Sequence, residues 1–139
     1  DTYNGTIMGL AFGWDLSVGV LCDFAGNDRY EASGGGTQGN GAQASIGILF
    51  DYDGDDVYLG YGQGYANTGI SYHPAGQCGG NFSFLIDYGG KDSYGCGAQD
   101  NTYSRRGSDG GFLIDRPKRG ESETREASQG AGKPPTTGM

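Results

Sequence analysis

The sequence predicts an all-β fold, a parallel β-helix or β-solenoid with coils of about 28 residues and one longer coil. Three observations carry that expectation. The first is composition: 30 glycines and ten tyrosines among 139 residues, with few strong helix formers, suit short strands joined by tight turns. No strict third-position glycine runs through the chain, which excludes collagen. The second is a recurring segment. "VLCDFAGNDRY" (20–30), "ILFDYDGDDVY" (48–58) and "FLIDYGGKDSY" (84–94) share the pattern Leu-x-Asp-x-x-Gly-x-Asp-x-Tyr. The third is the length of the unit: a four-stranded propeller blade needs about 40 residues, whereas three short strands, three turns and one apolar interior need fewer.

Taken in chain order, the initial "DTY" is the tail end of an earlier copy, and a fourth copy begins at "FLID" (112–115) and decays into "RPKRGES". The first aspartates, Asp23, Asp51, Asp87 and Asp115, lie 28, 36 and 28 residues apart. The eight extra residues of the long unit fall between Ala66 and Phe82, where they would bulge from one corner. A weaker mark rides on the same period: Gln38, Gln63, Gln99 and Gln129 follow the tyrosines, with Met8 at the corresponding place in the first coil. Stacked at about 4.8 Å, Leu21, Leu49, Leu85 and Leu113 would form an interior aliphatic ladder. Tyr3, Tyr30, Tyr58 and Tyr94 would form an aromatic one. Residues 1–120 are thus expected to be the solenoid, and 121–139 a polar tail with a partial repeat or cap. The abrupt opening at "DTYNG", without an initiator methionine, suggests a fragment or a processed piece.

Charge narrows the function classes. Residues 1–115 carry 14 acidic and 4 basic side chains, and residues 116–139 carry 3 and 5. An acidic body without a basic stripe argues against nucleic acid, and no apolar run approaches the ~20 residues that span a bilayer. Cys22 lies in an apolar run and is expected to be a core thiol; Cys78 and Cys96 are candidates for one bridge.

The acidic turns are open to two readings. Aspartate opens a type I turn and glycine closes it, so Asp23/Gly26, Asp51/Gly54 and Asp87/Gly90 need no metal. The second aspartates, Asp28, Asp56 and Asp92, are explained less well, because they fall where a strand should start. Unit charges stacked at about 4.8 Å repel by ~0.9 kcal/mol per pair even in water. At neutral pH protons are not expected to relieve this, whereas calcium, which takes carboxylate and carbonyl oxygens, would. The candidate ligands are Asp23, Asp28, Asp51, Asp53, Asp56, Asp87 and Asp92.

"FAGNDRY", "YDGDDVY" and "YGGKDSY" resemble the half-motif of the RTX calcium-binding nonapeptide, Gly-Gly-x-Gly-x-Asp-x-apolar-x. The resemblance covers about eight residues in each of three copies and maps Asp28, Asp56 and Asp92 onto the calcium aspartate. It implies calcium held by glycine carbonyls and aspartates between neighbouring coils of a β-solenoid. These units recur every 28 or 36 residues rather than every nine, and an aspartate or aromatic replaces the first glycine.

No Ser/His/Asp set or phosphate-cradling loop is present. The single histidine, His73, sits in the inserted loop, with Arg105 and Arg106 expected nearby. Those three are the candidates if the chain is a β-helix polysaccharide lyase or glycoside hydrolase. The leading expectation is a non-catalytic structural or adhesive solenoid, extracellular or on the cell surface, stiffened by calcium. Such a chain would associate end to end or continue into neighbouring repeats, with a glycan as a further partner.

Overall fold

A computed structural model describes residues 1–67, 72–73 and 80–118. Cys78, Gln129 and the tail at 121–139 lie outside the described residues.

Three runs of strands wind around one interior. Strands β1 (Thr2–Gly5), β4 (Arg29–Ala32), β7 (Val57–Leu59) and β9 (Ser93–Tyr94) form a four-stranded parallel sheet. Strands β3 (Val18–Asp23), β6 (Ile46–Asp51), β8 (Phe82–Tyr88) and β11 (Gly110–Arg116) form a second parallel sheet. The third side is slighter. It consists of β2 (Phe12–Trp14) on β5 (Asn40–Ala42), continued by a bridge from Ala66 to Gly107. The result is a β-solenoid of coils of about 28 residues, as the repeat predicts. One strand departs from the pattern: β10 (Tyr103–Arg105) runs antiparallel on the edge of β11.

Register falls where the repeat places it. Leu21, Leu49, Leu85 and Leu113 are paired across the larger sheet, and the last three are fully buried. Tyr3, Tyr30, Tyr58 and Tyr94 are paired across the other. Their rings stack with centroids 4.9, 4.8 and 5.0 Å apart and planes within 7°. Parallel stacking forces this: side chains at one register repeat at the strand spacing, and flat rings fill it without a void. Fully burying a leucine contributes about 1.5–3 kcal/mol, so these ladders supply the apolar core.

Cys22 departs from expectation. Leu21 and Asp23 point inward, so the pleat turns the residue between them outward, and Cys22 is exposed beside Val18 and Val20. The glutamine mark needs a similar correction. Gly9 pairs with Thr37 and Phe12 with Asn40, so the place of Gln38 in the first coil belongs to Leu10, not Met8. Gln99 is exposed and belongs to the turn leading into β10. The long coil is also rearranged more than a simple bulge. Tyr58 precedes Gln63 by five residues where Tyr30 precedes Gln38 by eight, so the corner before Gln63 is tightened; most of the insert, 68–71 and 74–79, lies outside the described residues.

Turn glycines are fixed by close stacking. A Cβ on Gly54 would lie 1.5 Å from the Gly26 carbonyl oxygen, and one on Gly90 would lie 1.6 Å from that of Gly54. Gly90 also has φ +95, a conformation that L side chains rarely adopt. The acidic corners therefore sit directly on one another.

Candidate metal centre

The acidic corner joins the end of each strand of the larger sheet to the start of the next strand of the smaller one. Leu-x-Asp places the aspartate two residues after an inward leucine, so its carboxylate also points inward. Asp51 and Asp87 are fully buried, and Asp115 is 1% exposed. Asp51 and Asp87 receive the hydroxyl of the tyrosine one coil earlier: Tyr30 donates to Asp51 Oδ2 at 2.5 Å and Tyr58 to Asp87 Oδ2 at 2.6 Å. Tyr3 donates to Asp23 in the same way. Tyr94 and Asp115 interact as well, but the Tyr94 hydroxyl has no partner at full hydrogen-bonding geometry. The second oxygens of Asp23 and Asp51 accept backbone N–H groups two residues on, from Ala25 at 3.1 Å and Asp53 at 3.2 Å. Turn chemistry thus operates at these two aspartates.

The second aspartates form a different chain of bonds. Asp56 Oδ1 accepts the Asp28 N–H at 2.6 Å, Asp92 Oδ1 accepts the Asp56 N–H at 2.8 Å, and Asp28 Oδ1 accepts from the Asp1 nitrogen. Each carboxylate thereby secures the coil before it. Its other oxygen is left over: Oδ2 of Asp28, Asp56 and Asp92 is buried without a partner, as are Oδ1 of Asp87 and Asp115. Unpaired buried carboxylate oxygens are costly, and five of them run along a single corner.

The carboxylates converge. Among the described residues, Asp28, Asp51 and Asp56 bring one carboxylate oxygen each within 4.8 Å of one another, and Asp56, Asp87 and Asp92 do the same one coil on. Asp1, Asp23 and Asp28 make a further group, and Asp92, Asp100 and Asp115 another. Asp28, Asp56 and Asp92 each serve two groups, so the carboxylates form a continuous column.

Electrostatics follow from burial. Burial pushes the Asp56 carboxyl up to about 7, Asp92 to about 8 and Asp87 to about 9, with neighbouring carboxylates adding to the rise. Asp51 and Asp115 are also raised by burial. Asp23, more open, is lowered by the Tyr3 hydrogen bond. The sequence-level expectation that protons cannot relieve the column at neutral pH is thereby corrected. Without a cation, Asp87 and Asp92 hold protons at pH 7 and titrate together with Asp56 as a coupled set.

Six of the seven candidate ligands, Asp23, Asp28, Asp51, Asp56, Asp87 and Asp92, lie in the column. Asp53 does not: its carboxylate turns outward and pairs with Lys118, whose ammonium also lies over the Tyr52 ring. Asp1, Asp100 and Asp115 join the column although the motif did not single them out as ligands. Asp115 was legible as a first aspartate of the repeat; Asp100 carries no repeat signal at all.

The catalytic candidates are not assembled into one site by any described contact. His73 Nε2 meets Asp15 Oδ1 at 2.5 Å beside the first coil. The Arg105 guanidinium lies over Phe112 and donates to the Asp109 carbonyl. Arg106 lies over Tyr65, donates to the Gln63 carbonyl and lines a trough of about 530 Å³ with Phe12, Trp14 and Tyr61. Comparison with protein-family models, curated proteins and solved structures finds no match to the chain. Among the described residues, no helix is long and apolar enough to cross a membrane.

Proposed function

We propose that this chain is a non-catalytic structural repeat module whose acidic corner takes up divalent cations, calcium first among them. The observation that carries this reading is a run of carboxylates grouped within 4.8 Å along one corner, five of them with a buried oxygen that has no partner. Hard cations with flexible coordination suit such an oxygen-only, acid-rich site, and calcium accepts six to eight ligands at 2.3–2.6 Å. The partial likeness of the turns to RTX half-motifs agrees with the choice of ion and with an extracellular or cell-surface setting, where free calcium is plentiful.

Stiffening is the expected consequence. An ion held by the second aspartate of one coil and both aspartates of the next ties neighbouring coils together. Neighbouring repeats or end-to-end association would extend the stack, using the strand edges at β1 to β3 and at β9, since β10 covers the β11 edge. An adhesive role would draw on the trough, whose Trp14, Tyr61 and Tyr65 rings are exposed and suited to stacking on a glycan.

The test is metal analysis of purified protein before and after chelation, with melting followed in both states. Bound calcium and a melting temperature that falls on chelation support the reading. Protein that binds no divalent cation from a calcium buffer at pH 8 overturns it.

A further inference from the structure

We propose that Asp92, Asp100 and Asp115 form a cation site of their own that latches an end cap onto the stack; this rests on the calcium reading above. Asp100 stands outside the repeat, eight residues after Asp92 in the turn that follows β9. Its Oδ1 nevertheless accepts the Asp92 N–H at 2.9 Å. Asp92 Oδ1 accepts the Asp56 N–H in the same way, and Asp56 Oδ1 accepts that of Asp28. Asp100 thus fills the place that the second aspartate of a following coil would occupy.

The neighbouring bonds complete the substitution. The Asn101 N–H donates to Asp115 Oδ2 at 2.8 Å, and the Thr102 carbonyl accepts the Asp115 N–H at 2.9 Å. From there the chain reverses into β10, which pairs antiparallel along β11 and covers its edge. Residues 100–105 therefore act as a cap made within the chain, of the kind that repeat stacks need at their ends. Its attachment point is three carboxylates whose ligand oxygens lie within 4.8 Å of one another.

Independent of the clustering, Asp115 is 1% exposed and its Oδ1 has no partner; Asp92 Oδ2 is likewise buried and unpaired. Once Asp92 and Asp115 are ionised, like charges push the Asp100 turn off the stack, and a divalent cation reverses the sign of that force. Cation binding and closure of the cap are therefore one event at this site.

Calcium titration and amide exchange on the full chain test this, in wild type and in Asp100→Asn. Calcium at about 100 times its dissociation constant should slow exchange at Tyr103–Arg105 about 100-fold in wild type. Asp100→Asn should bind one ion fewer and lose that calcium-dependent slowing, while amides of β4 and β7 keep theirs; Asp100→Glu should restore the ion. Wild type that binds calcium but shows calcium-independent exchange in β10 overturns the latch and leaves the other sites standing, with no variant needed. An unchanged ion count in Asp100→Asn overturns it equally. Wild type that binds no calcium fails at the earlier step, the calcium reading itself.

Discussion

Two corners of the solenoid bury polar side chains, and they solve the problem differently. At the glutamine corner, Gln38 Nε2 donates to the carbonyls of Tyr30 at 3.2 Å and Leu59 at 2.7 Å. Gln63 Nε2 serves Tyr58 and Gly60, both at 3.0 Å, and its oxygen accepts the Cys96 N–H at 3.0 Å. A neutral amide with donors and an acceptor can close a gap between coils unaided, and of Gln38 and Gln63 only Gln38 Oε1 is left over. At the acidic corner every ionised side chain can only accept, and five oxygens are left over. Two corners of one solenoid, similarly buried, differ in whether the chain completes itself. The amide corner leaves one neutral oxygen over; the acid corner requires protons or a cation.

The largest effect should therefore come from pH and calcium together. In chelator, the folded chain holds protons near pH 7–9 on Asp56, Asp92 and Asp87. The unfolded chain releases its own near the ordinary aspartate value of about 3.9. The folded state thus binds more protons between these limits, so metal-free stability should fall as pH rises from about 4 to about 9. Calcium competes with those protons, so calcium should stabilise more at pH 8 than at pH 5. At 100 times its dissociation constant it adds ~2.7 kcal/mol per site. Thermal melts at several pH values, with and without calcium, check both slopes.

Next in size is the apolar core, which should ignore calcium. Leu49→Ala leaves a cavity in a ladder with no exposed neighbour free to collapse inward, at a cost of ~2–5 kcal/mol in either condition. Denaturant melts showing a loss below about 0.5 kcal/mol would contradict the inward register.

The two corners separate most sharply under paired substitution. Gln63→Ala strands three backbone groups and should cost ~1–3 kcal/mol whether or not calcium is present. Asp56→Asn should weaken calcium binding and destabilise in calcium, yet in chelator at pH 8 it should stabilise, because it removes a buried charge. Equal losses in both conditions would make Asp56 a turn residue only. Asp53→Asn should change stability least, by less than ~1 kcal/mol, because it breaks a half-buried surface ion pair and leaves the column intact.

Much of this was legible in the sequence. Aspartate, leucine and tyrosine recur in fixed order, and parallel stacking converts equal spacing into equal register, so the ladders followed directly. Cys22 was readable too: Leu21 and Asp23 both face inward, and two-residue alternation sends the residue between them outward. The Tyr-to-Asp hydrogen bonds were harder, because they join Tyr3, Tyr30 and Tyr58 to the first aspartate of the next repeat, 20, 21 and 29 residues later. Asp53 was included among the ligands because spacing in a turn does not tell which carboxylates face inward. Asp100 was out of reach of the repeat. Its place depends on the chain reversing after β9, and no periodic signal encodes that.

The central claim, that the acid corner is a cation column, meets its most direct test in crystals grown with calcium at pH 8. Anomalous scattering should place an ion among Asp28, Asp51 and Asp56, and another among Asp56, Asp87 and Asp92. Carboxyl groups hydrogen-bonded to one another at those positions, with no ion between them at millimolar calcium, would contradict it.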